Sequence, residues 1–257
     1  MPRGVNTQDE GRIQGRNVAN ANSSNIVAPG IVTDGLVLHL DAGNYESYPI
    51  AGTTWYDLSG RGNNGTLTSG PTYIRNGGGA IDFDGTNDYA SFTSSRYQLQ
   101  SFSIAIWVNP QTQNAALVSL LDYSHTSPAV NWVVQSEDAT TNRYYYLAYG
   151  DGSSFQPSGN FGAGKGVQLT TNEWQYLVFT KTGTAVRGYR NSVEVLTATA
   201  TNGTVSYNAT QIAVAALATG GSRFFKGYVP IVKIYNRALT PTEVAENFNA
   251  TRARFNI

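Results

Sequence analysis

Cysteine is absent from the 257-residue sequence, which excludes disulfides and thiolate metal sites together and leaves ordinary burial to hold the fold. Net charge is missing as well. Seventeen Lys and Arg face seventeen Asp and Glu, so a general electrostatic hold on nucleic acid or on an anionic membrane is excluded. No apolar run reaches the roughly 18 residues that a bilayer-spanning helix needs, and the N-terminus lacks the apolar stretch of a secretory signal. With Met1 as the native start, the expectation is synthesis in the cytosol without export by that route. Histidine is scarce too, with two residues in all. His39 falls in an expected strand, and His125 sits in DYSHTSP with no nucleophile motif around it, so both read as structural rather than as catalytic bases.

What is abundant points to β structure. Charged residues make up only 13% of the chain, while 27 Gly and 16 Tyr, with frequent Thr and Asn, suit strands joined by tight turns. A chain of this length with 40% hydrophobic content closes one sizeable core, as large all-β domains do.

Residues 1 to 30, MPRGVNTQDEGRIQGRNVANANSSNIVAPG, stand apart. Their aliphatics are scattered with neither a helical nor a strand period, and Asn, Gln, Ser, Gly and Arg dominate, so the segment cannot bury enough surface to fold alone. Ordering its backbone costs about 1 to 2 kcal/mol per residue, which only a neighbouring surface rich in hydrogen bonds would offset. The expected organisation is an extended arm over residues 1–32 and a folded body over 33–257. Arg3, Arg12 and Arg16 would pair with acidic groups on that neighbour, and Ile13 would fill a pocket there.

The texture changes after Pro29-Gly30. Leu36, Leu38 and Leu40 alternate with Val37, His39 and Asp41, the period of a half-covered strand. A long polar loop follows from Gly43 to Pro71, with Trp55, Tyr56, Leu58 and Leu67 as its internal anchors. Short strands then recur with turns between them, the last two expected at 224–228 and 231–235, a spacing that predicts two packed antiparallel sheets. Trp107, Trp174, Phe179, Ile106 and Ile234 are expected core residues. Near the end, Thr240 as N-cap, Pro241 at the first helical position and Glu243 returning a bond to the cap predict a helix, with Leu239 and Val244 as a staple.

FSIAIWVNP at 102–110, EWQYLVFTKTGTAVRGYRNSVEV at 173–195, FFKGYVPIVKIYNRALTPTEVAENF at 224–248 and DFDGTNDYA at 82–90 resemble the laminin-G-like jelly rolls of the concanavalin A-like lectin/glucanase group. The resemblance spans most of Thr33 to Phe248 and implies a two-sheet antiparallel jelly-roll sandwich with a short C-terminal helix. Two departures stand out. Ser192 follows Asn191 where relatives often carry Gly, and Pro230 stands where an acidic residue is common, implying an edge or a bulge. GLVLHLDAGNYESYPIAGTTWYDLSGRGNNGTLTSGPTY resembles a narrower set, the laminin-G-like virion components of tailed bacteriophages, although the same loop occurs in bacterial relatives.

The chemistry in the sequence is sparse. The E-x-D-x-x-E carboxylates of the group's glucanases are absent, and hydrolysis with retention needs two carboxyls about 5 Å apart. Asp82, Asp84, Asn87 and Asp88 would suit calcium by ligand type, but Asp84-Gly85 and Asn87-Asp88 read first as a turn between strands. GNFGAGKG at 159–166 mimics a phosphate-binding loop, yet Gly166 replaces the Ser or Thr that would hold magnesium, and it reads as a flexible loop. Sugar binding asks for less, namely a shallow aromatic platform with a few polar groups. Tyr123, His125, Trp132 and Tyr145, the last within the run Tyr144-Tyr145-Tyr146, would supply one, although alternation sends at least one of that run into the core.

The sequence thus points to a non-enzymatic phage virion protein, a capsid decoration or cement protein made in the host cytoplasm and anchored by its arm to the major capsid protein or other virion proteins, and to a homo-oligomer. The alternative is a carbohydrate-binding adhesion module on a tail fibre or surface. Neither reading calls for a cofactor or a metal, and neither involves nucleic acid or membrane.

Overall fold

The computed structural model describes residues 30–93, 95–112, 118–126, 129–136, 144–157, 165–218 and 220–257. Arg3, Arg12, Ile13 and Arg16 lie outside the described residues, as do residues 159–164 of the glycine-rich loop.

The strands in chain order are β1 (Leu36–Asp41), β2 (Thr54–Trp55), β3 (Gly65–Thr68), β4 (Thr72–Ile74), β5 (Ala80–Asp84), β6 (Tyr89–Thr93), β7 (Phe102–Pro110), β8 (Ser119–Thr126) and β9 (Val130–Ser136). They continue with β10 (Tyr144–Gly150), β11 (Phe155–Gln156), β12 (Val167–Gln168), β13 (Gln175–Thr182), β14 (Ala185–Arg190), β15 (Val193–Thr199), β16 (Gln211–Val214) and β17 (Lys226–Tyr235), and the helix α1 spans Pro241–Thr251. All pairings are antiparallel, as expected. An eight-stranded sheet runs β15-β14-β13-β7-β17-β5-β4 with β1 also on β17, and a nine-stranded sheet runs β11-β10-β9-β8-β16-β6-β3-β2 with β12 on β10.

The two sheets close over an apolar core in which Trp55, Trp132, Tyr123, Tyr145, Phe83 and Phe102 are fully buried. A second core lies on the outer face of the eight-stranded sheet, where α1 covers it. There Trp107 lies 4.0 Å from Phe255 and 5.7 Å from Phe248 by ring centroid, and its indole N–H donates to Thr251 Oγ1 at 2.8 Å. Ile106, Phe179 and Ile234 face the inter-sheet core, whereas Trp107, one residue from Ile106, faces α1. Trp174 is only half-buried. It precedes β13 and packs against Phe255 and Tyr228 at the rim, so its place in the core is partial.

The helix forms as its cap predicts. Glu243 N–H donates to Thr240 Oγ1 at 3.3 Å, Thr240 N–H returns to Glu243 Oε2 at 2.8 Å, and Leu239 and Val244 are buried in the second core. Pro230 falls at a bulge, but in a central strand: the register with β7 breaks between Tyr228 and Ile231, where β17 changes its other partner from β5 to β1. Asn191 and Ser192 form the β14–β15 turn with φ of 49° and 68°, so Ser192 occupies a left-handed position that glycine adopts without steric cost.

Three expectations are corrected. The stretch from Gly43 to Pro71 is not all loop, because it contains β2 and β3, and Tyr56 is 43% exposed rather than an anchor. The strands expected at 224–228 and 231–235 are one bulged strand, β17. The body also starts earlier than Thr33. Ile31 and Val32 pack on the second core, Val32 N–H donates to Asn247 Oδ1 at 3.0 Å, and Tyr235 O–H donates to Val32 O at 3.0 Å.

Candidate functional site

The register of β8, β9 and β10 fixes which side chains share a face. Tyr123 pairs with Trp132 and Trp132 with Tyr149, while Ser119 pairs with Gln135 and Gln135 with Tyr146. Successive residues on a strand point to opposite sides, so these two rows lie on opposite faces of the nine-stranded sheet. The first row is the core. Tyr123 and Trp132 are 0% exposed and Tyr145 is 1% exposed, so these three do not form a surface aromatic platform. Burial pushes the Tyr123 phenol up to about 12. His125 lies in β8, and its side chain is outside what the structure describes.

The opposite, outward face carries a polar cluster instead. Gln135 Nε2 donates to Tyr146 OH at 2.6 Å, and the Arg223 guanidinium donates to Gln135 Oε1. This fixes the orientation of the amide: its oxygen faces the charge and its NH2 faces the phenol. Ser119 N–H donates to Arg223 O at 2.9 Å, which holds the segment bearing Arg223 against β8. Ser119 Oγ, fully buried beside this chain, has no hydrogen-bond partner among the described residues. One row away, Asp122 pairs with Val133 and Ala213 in the register, and its Oδ2 accepts Ala218 N–H at 2.6 Å. Val133, Tyr146 and Ala148 form a small apolar patch on the same face.

This arrangement sets a guanidinium, an amide and a phenol beside an apolar strip. It can recognise a polyhydroxylated ligand by donating and accepting hydrogen bonds. Tyr123, Trp132 and Tyr145 lie on the same three strands as this cluster and point to the inner side. The signal for the other side was a polar residue inside an apolar run, Gln135 in NWVVQS and Asp122 in SLLDYS.

The remaining sequence candidates fall elsewhere. Asp84 and Asp88 close the turn from β5 to β6: Asp84 Oδ1 accepts Thr86 N–H at 2.7 Å, and Asp88 Oδ2 accepts Asp84 N–H at 3.1 Å. Hydrogen bonds from the turn hold the Asp84 carboxyl below its usual range, while burial raises that of Asp88. His39 sits on β1, and burial together with the charge of Lys233 pushes its imidazole down to about 4.

Comparison with known proteins agrees with this architecture. The family model Laminin_G_3, described as concanavalin A-like lectin/glucanases superfamily, matches residues 84–245. No curated protein matches the sequence. Among solved structures, domain 4 of AbnA, a GH43 extracellular arabinanase from Geobacillus stearothermophilus in complex with arabinotriose, superposes with a TM-score of 0.63 at 19% identity, covering 82% of this chain and 97% of that one. A Trypanosoma rangeli sialidase mutant displaying trans-sialidase activity gives 0.63 at 15% identity, covering 88% of this chain and 34% of that one. The binding domain of botulinum neurotoxin DC in complex with SialylT gives 0.61 at 14% identity, covering 85% of this chain and 52% of that one. The chain thus spans about a third of the sialidase and half of the toxin domain, and at these identities the likeness is one of fold.

Proposed function

The chain belongs to the Laminin_G_3 family of the concanavalin A-like lectin/glucanase superfamily, and on that premise we propose that it is a non-enzymatic module that binds carbohydrate on the outward face of its nine-stranded sheet. The observation that carries this reading is the Gln135 amide locked between Arg223 and Tyr146 on that face. Hydrolysis would instead require a pair of carboxyls flanking the bond. In this cluster Asp122 is committed to the Ala218 backbone. The glycan complexes of the arabinanase domain and the toxin binding domain support the same direction.

The test is a glycan array with the purified chain, followed by titration of the best ligand against Tyr146→Phe and Arg223→Ala. Removing one hydrogen bond at a ligand site costs about 1 kcal/mol, and removing a charged donor about 1.5 to 3 kcal/mol, so affinity should fall roughly five-fold and at least ten-fold respectively. Unchanged affinity in both variants, with melting temperatures intact, would refute the assignment.

A second reading is favoured by the way the chain enters the body. The described cores close from Ile31 onward, and Val32 is clamped by Asn247 and Tyr235, so a pull on residues 1–30 would be delivered to α1 and β17. That mechanical arrangement suits a capsid decoration or cement protein of a tailed phage, gripping the major capsid protein through residues 1–32 and repeating weak contacts over a lattice. Deleting residues 1–30 should then abolish incorporation into particles while leaving any glycan binding intact. Undiminished incorporation would sink this reading alone.

A further inference from the structure

Away from the outward face, a cleft of about 310 Å³ opens where β1 meets the loop between β2 and β3, with Val37, Arg61, Arg96 and Asn236 in its lining. The loop is rigidly made. The Asp57 carboxylate accepts the backbone N–H groups of His39 at 2.9 Å, Ser59 at 2.9 Å and Asn63 at 3.0 Å, together with the Ser59 hydroxyl at 2.8 Å. The Asn63 amide then donates to Val37 O at 3.1 Å. At the tip, Arg61 stands between Gly60 and Gly62, whose φ angles of 77° and 73° set the turn that presents it. Arg61 O accepts from the Arg96 guanidinium at 3.2 Å, so the second arginine is drawn to the same loop.

Two guanidinium groups therefore border one small cleft. The Arg61 side chain is exposed and makes no hydrogen bond or ion pair among the described residues. An anion seated in the cleft accepts guanidinium N–H bonds in the fork geometry that favours carboxylates. Val37 supplies an apolar wall, and the Asn236 amide can both donate to and accept from hydroxyls. The volume is at the small end for ligand pockets, about 300 Å³, which suits one sugar ring rather than a folded partner.

We propose that this cleft binds the carboxylate of an acidic sugar residue, making the ligand of this module an anionic glycan. The proposal rests on the carbohydrate-binding reading and adds a second contact point, on a different element, to the outward face.

The experiment is titration of the full chain with glucuronate-, galacturonate- and sialate-bearing oligosaccharides, each against its methyl ester, which keeps the shape and removes the charge. The acid should bind at least about ten-fold tighter than the ester, and added salt should erode that preference. Arg61→Ala and Arg96→Ala should each cut the preference several-fold, with Arg61→Lys intermediate because it keeps the charge and loses the fork. Both arginines are exposed, so melting temperatures should be unmoved, and an intact fold keeps the comparison clean. Equal binding of acid and ester overturns the proposal and leaves the carbohydrate reading standing. A preference that survives both alanine variants also overturns it. Binding of no glycan at all removes both readings together.

Discussion

Lys233 carries a charge that the fold accommodates poorly. It sits on the outer face of the eight-stranded sheet beneath α1, paired in register with His39 and Ala105, fully buried and with no hydrogen-bond partner for its Nζ among the described residues. Burial, opposed by the nearby Asp41 carboxylate, pushes its ammonium down to about 8 from 10.5. The sign of the pH effect follows. Between pH 8 and 10.5 the unfolded chain holds more protons at this site than the folded one, so its contribution to stability rises with pH across that window, and the full penalty applies below pH 8. Lys233→Met is predicted to raise stability at pH 7 by about 1 to 3 kcal/mol, the range seen when buried charges give way to apolar groups of similar volume. Chemical denaturation from pH 7 to 9.5 checks it. The wild type should gain more stability over the upper part of that range than the variant, in which Lys181, whose ammonium burial also lowers to about 8, still contributes a rise. Above it, buried phenols such as Tyr176 and Tyr235, whose ionisation burial raises, pull the other way. A variant less stable than wild type at pH 7 would mean that Lys233 makes a net favourable interaction with Asp41. Sequence alone does not place Lys233 so deeply, because a lysine in IVKIY ordinarily marks the solvent side of a strand. The tyrosine run fails for a related reason: Tyr145 and Tyr146 are adjacent, alternation separates them, and nothing local says which faces outward.

Among the elements, α1 was the most legible and the sheet centres the least. Every feature of the helix start is local, which is why Thr240, Pro241 and Glu243 could be assigned roles from spacing alone. By contrast, β7 is buried at all nine positions and β9 at all seven, so alternation no longer reports a phase. Trp107 and Ile106 therefore both read as core, while the side each one takes depends on α1 packing over the outer face. The helix itself depends on its cap. Arg237 donates to both Glu243 oxygens, at 2.9 and 2.6 Å, and this pairing, with the bonds from Thr240, holds the Glu243 carboxyl down at about 2. The stabilisation is present above the ordinary carboxylate range and is lost as pH falls from 4.5 toward 2. Thr240→Ala is predicted to cost about 1 kcal/mol in chemical denaturation at pH 7. If the loss fails to appear, Glu243 holds the helix start through Arg237 without help from Thr240.

At the scale of the whole molecule, the sandwich was readable because turn chemistry and short strands recur along the chain. The candidate site was not, because Ser119, Gln135, Tyr146 and Arg223 come from four separate segments that only the register brings together. The same scale decides what residues 1–30 contribute. The residues of the described cores begin at Ile31, and the clamp of Val32 by Asn247 and Tyr235 closes that end of the body. A chain beginning at Ile31 is therefore predicted to fold with a melting temperature within about 2 °C of the full chain, since a loss of 1 kcal/mol in a domain of this size shifts it by roughly 2 to 4 °C. Calorimetry on the two proteins side by side checks this. A drop of several degrees would show that the N-terminal segment packs on its own sandwich, leaving less of it available to grip a neighbour. An unchanged melting temperature, combined with lost particle incorporation, would assign the segment to assembly and the sandwich to recognition.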